Sequence, residues 1–324
     1  MPAHPAVTDP DQLDRLARMI DEIVLPDADR YTLDEVSARA GTDPQLTRRL
    51  WRALGFADPG PDDRIGGDAD VLALQAALDS TDTSDGVETL IRQTRVMSAA
   101  MARVADLWVD QIRASLDSGE FDRIEQSAEA FSDQERFKWL IDYIHRRLFA
   151  AALRRELANR SAGTGTEQSA VFADLVGYTT LSERLGPLEL SELVGSFEAI
   201  AYDTVAEHGA RVVKTIGDEV LFAADDREVA LATTVDLLRR AHRGGLPPLR
   251  AGIDHGPAVW FEGDLFGPTV NRAARLVAEA PVGAVAASAS FAEAVADAGW
   301  TDLGVRELKG VGPTEVRALA VAGA

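Results

Sequence analysis

"VVKTIGDEVLF", residues 212–222, decides how the second half of this chain is built. Val212, Val213 and Ile216 precede Gly217-Asp218, and Val220, Leu221 and Phe222 follow it. Two β-branched and aromatic runs around a Gly-Asp pair predict a hairpin, with Gly217 supplying the backbone conformation other residues resist. Lys214 and Asp218 are the exceptions, since a sheet segment with no other task would not carry opposite charges around its turn.

Outward from this hairpin, short strand-like runs recur at "SAVFADL" (169–175), "ARVVKT" (210–215), "EVLFAA" (219–224), "LRAGID" (249–254) and "AVWFEG" (258–263). They alternate with helical stretches, "LELSELVGSFEAIAYDTVAEHG" (188–209) and "EVALATTVDLLRRAHRGG" (228–245). A sheet with helices is therefore expected, of α/β or α+β class. Before residue 161 the pattern changes. Leu90, Ile91, Met97, Met101, Val104, Trp108 and Ile112, then Phe137, Leu140, Ile141, Ile144, Leu148 and Ala152, recur at three- and four-residue steps. Residues 1–160 are thus expected to be all helical, ending in one amphipathic helix over 137–160. "SAGTGTEQ", 161–168, reads as a linker, and 169–324 as the second domain.

Residues 31–58 have the form of a helix-turn-helix around "AGTD", and resemble the start of MerR-type regulators. Arg48, Arg49 and Arg52 supply a basic cluster, but Asp34, Glu35, Asp43, Asp58, Asp62 and Asp63 surround it. A helical packing unit is the expectation there rather than a DNA reader.

The 324 residues suffice for two cores. With no cysteine, disulfides and thiolate chemistry are excluded, and any metal must be held by oxygen or imidazole. A formal charge of −20 opposes nucleic acid and anionic lipid. Residues 1–25 lack the pattern of a signal peptide and no run is apolar enough to span a bilayer, which points to a cytoplasmic protein with no membrane span.

Three further stretches carry polar residues where a core would not. "VFADLVGYTTLSERLG" (171–186) ends a strand on Asp174 and turns at Gly177 into a helix start. "FEGDLFGPTVNRAARLV" (261–277) offers Asp264, then Asn271 and Arg275 four apart on one helix face. "VRELKGVGPTEV" (305–316) sets Lys309 before a Gly-Val-Gly turn.

Together with "TIGDEV" these motifs, in this order over 168–321, resemble the class III nucleotidyl cyclases. The resemblance implies a ferredoxin-like α+β catalytic domain with an antiparallel-rich sheet and helices on its outer face. It implies that Asp174 and Asp218 hold two Mg²⁺ ions, with Mn²⁺ as substitute, because hard cations need anionic oxygen on rigid elements. By the same resemblance Lys214 and Asp264 read the base. One donor and one acceptor suit adenine, so ATP is the expected substrate and cyclic AMP the product. Asn271 and Arg275 are implied to position the ribose and stabilise charge on the α-phosphate, while Arg250, Lys309 and the Gly177, Tyr178, Thr179 segment contact phosphates.

A homodimer with two sites shared between chains is implied too. The short "FEGDLFGPTVN" resembles a bacterial subgroup with a reduced arm at the dimer contact. Relatives with such a helical N-terminal domain are autoinhibited, and some hold a lipid, which makes a fatty-acid site in the helix over 86–116 an expectation. The rivals are a guanylate cyclase and a DNA-binding regulator that only senses nucleotide.

Overall fold

The computed structural model describes residues 30–79, 84–117, 134–162 and 167–324, with Pro10, Asp11, Leu13, Asp14, Arg15 and Arg18. Most of the stretch read for a signal peptide, and residues 163–166 of the expected linker, lie outside the described residues. The chain divides into two compact units, Met1–Leu153 and Arg154–Ala324.

In the first unit, α1 (Leu33–Ala40) starts at a capping box in which Thr32 and Glu35 satisfy each other's backbone N–H groups, and stops at Gly41 in the left-handed region. Asp43 caps α2 (Pro44–Ala53), with proline at its first position. The helix-turn-helix form is therefore real. α3 (Asp68–Asp79) and α4 (Ser84–Asp117) follow, and α5 (Gln134–Ala162) begins in this unit and continues past its boundary at Leu153. α5 contains the single helix expected over 137–160. Tyr31, Val36, Leu50, Ala53, Leu74, Leu90 and Ile91 form this unit's buried cluster.

In the second unit, β1 (Glu167–Leu175) leads into the short α6 (Tyr178–Ser182) and α7 (Pro187–Glu207). The hairpin of the opening stretch is β2 (Arg211–Ile216) and β3 (Glu219–Ala224), followed by α8 (Arg227–Arg243). Then come β4 (Leu249–Pro257), β5 (Val259–Phe261), β6 (Asp264–Phe266) and α9 (Pro268–Glu279). β7 (Ala284–Ser288), α10 (Ala289–Ala294), β8 (Thr301–Leu308) and β9 (Gly312–Ala320) complete it.

Among the described residues seven strands form one sheet in the order β2-β3-β1-β4-β7-β9-β8, antiparallel except for β4 beside β7. β1, bonded on both edges, is buried along most of its length, as a central strand must be.

Alternation along β1 and β3 sorts the cores by face. Val171, Ala173, Leu175, Val220 and Phe222 pack with Phe197, Leu237 and Leu238 of α7 and α8. Ala170, Phe172, Leu221 and Ala223 pack with Val270, Ala273 and Val277 of α9. Helices thus lie on both faces of the sheet, α7 and α8 on one and α9 on the other. The cause is legible at Gly252, where an added Cβ would stand 2.3 Å from the Ala273 carbonyl and 2.4 Å from the Val277 amide. The α9 backbone rests directly on β4, and only glycine permits that approach.

Candidate active site

The end of β1 brings three carboxylates together. Asp174 is opposite Glu219 on β3 and Arg250 on β4, so these three side chains share the face that carries α9. Asp218 occupies the hairpin turn, and its carbonyl accepts from Leu175 N at 3.1 Å, which ties the turn to the end of β1. Arg250 grips Asp174 with both prongs, Nε to Oδ1 at 2.9 Å and Nη2 to Oδ2 at 3.0 Å. One guanidinium does not balance this group. Burial, then the neighbouring Asp174 and Asp218 charges, push the Glu219 carboxyl up to about 7. Burial, helped by Asp174, also pushes Asp218 above its ordinary value. Burial is the larger cause of both shifts, and the mutual repulsion of the carboxylates adds to it; a cation would relieve that second part. No three His, Asp or Glu groups among the described residues converge closely enough to enclose an ion. The residues present fit a pair of carboxylates that complete a metal shell with oxygens of a bound ligand.

Gly177, in the left-handed region at φ 82°, turns the chain from β1 into α6, leaving Gly177 and Thr179 exposed and Tyr178 half-buried against the core. The segment therefore follows the carboxylates directly, at the same end of the sheet.

The second expected group lies on β2 and β6. A bulge between Val212 and Lys214 re-aims the strand, placing Lys214 opposite Leu221 on the α9 face. Its Nζ is 2.5 Å from Asp264 Oδ2, and Asp264 Oδ1 accepts from Leu265 N at 2.8 Å. Asp264 follows a tight turn in which Glu262 and Gly263 both take positive φ, 51° and 82°, as a two-residue hairpin turn requires. This hairpin has three residues on each side. Asn271 and Arg275 are both exposed on α9, opposite the buried Thr269, Val270, Ala273, Leu276 and Val277.

Lys309 stands apart. It occupies the turn between β8 and β9, at the end of the sheet where β4 finishes and opposite the end where β1 delivers Asp174. β8 is four strand spacings from β1, about 19 Å at the usual separation. One chain does not gather Lys309 with the three carboxylates.

Sequence reasoning missed the support beneath α9. Asp254 on β4, 0% exposed, accepts from Arg272 Nη1 at 2.5 Å and from Ser288 Oγ at 2.6 Å, and Ser288 also caps α10. Arg272 sits between Asn271 and Arg275 in sequence, so this bonded triad pins the helix that carries both. Glu219 was missed too, although its position beside Asp218 in "GDEV" was visible.

Comparisons with known proteins agree with this architecture. Residues 163–320 match the family model described as the adenylate and guanylate cyclase catalytic domain. An adenylate cyclase of Streptomyces coelicolor is 35% identical over 303 residues, covering 89% of this chain and 77% of that protein. One from Streptomyces griseus is 35% identical over 288 residues, covering 86% and 72%. A pH-sensitive adenylate cyclase of Mycobacterium tuberculosis is 32% identical over 298 residues, covering 86% and 74%. The chain belongs to the adenylate and guanylate cyclase family. Its α+β catalytic domain is preceded by a helical region that these relatives match as well.

Proposed function

We infer that the protein is an adenylate cyclase, forming 3′,5′-cyclic AMP and pyrophosphate from ATP. Relatives of that activity match it over most of its length, and the Lys214–Asp264 pair carries the choice of base. An ammonium donates to N1 of adenine and a carboxylate accepts from its N6 amino group. Guanine presents the reverse pattern and would leave both charges facing like partners, a mismatch of a few kcal/mol when buried. In the absence of a base the two groups satisfy each other, so the pair is preformed.

Asp174 and Asp218 would hold two Mg²⁺ or Mn²⁺ ions; when bound, these supply charge neutralisation at the triphosphate and lower the pKa of the 3′-hydroxyl. Asn271 orients the ribose, and Arg275 donates to the oxygen on which charge builds as the 3′-oxygen attacks the α-phosphorus in line. The new O3′–P bond forms as the bond to the bridging oxygen breaks, and pyrophosphate leaves with that electron pair. Arg250 and Lys309 bind phosphate oxygens, and backbone N–H groups of Gly177, Tyr178 and Thr179 face the terminal phosphates.

The site is shared between two copies of this chain, each supplying carboxylates to one site and Lys214, Asp264, Asn271, Arg275 to the other. The separation of Lys309 from Asp174 supports this, as does the exposed apolar surface of Ile216, Val259, Phe261 and Phe266 on the short-arm side. The helical unit restrains turnover through α5. Its apolar cavity of about 680 Å³, lined in part by Leu50, Trp51, Leu54, Leu74, Met97 and Met101, supports a lipid chain as its ligand.

The test is complementation. Asp174→Ala and Asn271→Ala should each be almost inactive, since each strikes both sites of its own homodimer. In a purified mixed dimer both lesions fall in one site and the other is intact, so cyclic AMP formation should return to about half per dimer if the sites act independently. No recovery would mean that each chain carries a complete site.

A further inference from the structure

The helical unit holds a second charged site that the cyclase reaction does not use. α2 and α4 pack together, and Ser98 Oγ on α4 donates to the Leu54 carbonyl just beyond α2 at 2.6 Å. Between these helices is a cleft of about 240 Å³ lined by Arg49, Arg52, Arg92, Arg95 and Glu88. Its floor is Ala53 and Ile91, each 5% exposed. Helical spacing builds it, because Arg49 and Arg52 are three apart on α2, and Arg92 and Arg95 three apart on α4.

Four guanidiniums around one small cleft repel each other, in a chain whose formal charge is −20. Among the described residues carboxylates answer two of them. Glu88 Oε1 accepts from Arg49 Nη2 at 2.5 Å, and Asp58 holds Arg52 at 2.5 and 2.8 Å. Arg92 donates to the neutral Thr89 hydroxyl at 3.4 Å, and Arg95 has no carboxylate partner among the described residues. Two positive charges therefore remain on exposed side chains above the buried Ala53 and Ile91. Both flanking helices are held in place without them.

We propose that this cleft binds a free phosphate-type oxyanion, orthophosphate or a short inorganic polyphosphate, in the helical unit. Guanidinium forks match phosphoryl oxygens in pairs, and an anion between α2 and α4 would relieve the repulsion while cross-linking the two helices. The cleft, about 240 Å³, is smaller than the roughly 300–1,000 Å³ of sites that enclose drug-sized ligands, which suits a compact anion. This assignment is independent of the cyclase reading.

Calorimetric titration of the full chain tests it, at low salt and with EDTA present so that no metal-dependent nucleotide site contributes. Orthophosphate, tripolyphosphate and sulfate are the probes. One of the two phosphates should bind at one site per chain, with the better binder identifying the occupant, and Arg92→Gln with Arg95→Gln should weaken it at least tenfold. Arg95→Lys, which keeps the charge and loses the fork, should fall between. Arg250→Gln with Lys309→Gln should leave the affinity unchanged. Circular dichroism should be the same for the Arg92 and Arg95 variants as for the unaltered chain, because both side chains are exposed. No binding by the unaltered chain, binding that survives loss of Arg92 and Arg95, loss confined to the Arg250 and Lys309 variant, or equal affinity for sulfate would each overturn the proposal.

Discussion

The two units bury their apolar residues to different degrees. In the second, Phe197 and Phe222 are 0% exposed and the sheet is packed on both faces. In the first, α5 leaves Trp139 64%, Leu148 66% and Phe149 61% exposed, and α4 leaves Met97 66% exposed. Among the described residues the sheet domain has a core on each face and confines its exposed apolar groups to patches such as Val259, Phe261 and Phe266, whereas the two long helices expose apolar side chains along their length. The contrast separates where reaction geometry is fixed from where apolar surface is left for other contacts to cover.

The largest expected effect lies in the rigid half. Arg275→Ala should lower kcat about 100- to 1,000-fold, the usual cost of removing a donor aimed at developing charge, with circular dichroism unchanged. A smaller loss would remove Arg275 from the reaction. Next, Lys214→Glu with Asp264→Cys should collapse ATP turnover while GTP turnover falls less or rises. Persistent ATP preference, measured with both nucleotides side by side, would remove these two residues from base reading. A shortened chain beginning at residue 161 should then differ from the full chain by several-fold in turnover, probing the other side of the contrast. Equal turnover, with dimers verified for both, would detach the helical unit from regulation.

Stability should divide the same way. Asp254→Ala leaves the Ser288 hydroxyl and the partly exposed Arg272 without their shared acceptor and should cost about 1–3 kcal/mol in denaturant titration. Arg52→Ala breaks an exposed pair with Asp58 and should leave the midpoint essentially unmoved.

The smallest effect concerns His255, whose side chain is 5% exposed beside Ser169 and Glu167, with Arg227 and Asp254 also acting on it. Burial, then Arg227, holds its pKa below the ordinary value. The folded state therefore favours neutral imidazole. Its contribution to stability is present above the unfolded value, about 6.5, and is lost as pH falls through that value toward the folded one. His255→Gln should flatten the decline in thermal midpoint over that range; an unaltered slope would place the acid sensitivity elsewhere.

Much of the site was legible because its residues interrupt apolar strands. Lys214, Asp218 and Asp174 stand out against valines and phenylalanines, and Asn271 with Arg275 reads as a helix face from spacing alone. What escaped depends on register. That Asp174 faces both Arg250 and Glu219 follows from which strands pair, and nothing local in "FADL" or "LRAG" states it. Asp254 was hidden because one acid in "GIDHG" looks the same whether it faces solvent or Arg272. β7 was missed because "AVAAS" is small and lacks the bulk that marks a strand. β8 and β9 were missed because charges alternate along "VREL" and "TEVRAL" at the sheet edge. On the α4 and α5 sequences periodicity gave the helices but not which apolar side chains would stay uncovered.

β1 is hydrogen-bonded on both sides, to β3 over six pairs and to β4 over nine. Sliding it by one residue would carry Asp174 to the opposite face and break every one of those pairs, so it has no small longitudinal displacement available to it. A displacement at Glu167 thus meets a stiff rod, about 30 Å long at the usual rise, with the Asp174 carboxylate near its far end. Such a rod transmits rotation of the whole sheet without loss and transmits stretching hardly at all. A strand held on both edges therefore moves only with the sheet around it, and any influence that reaches Asp174 along β1 does so by turning the sheet as one body.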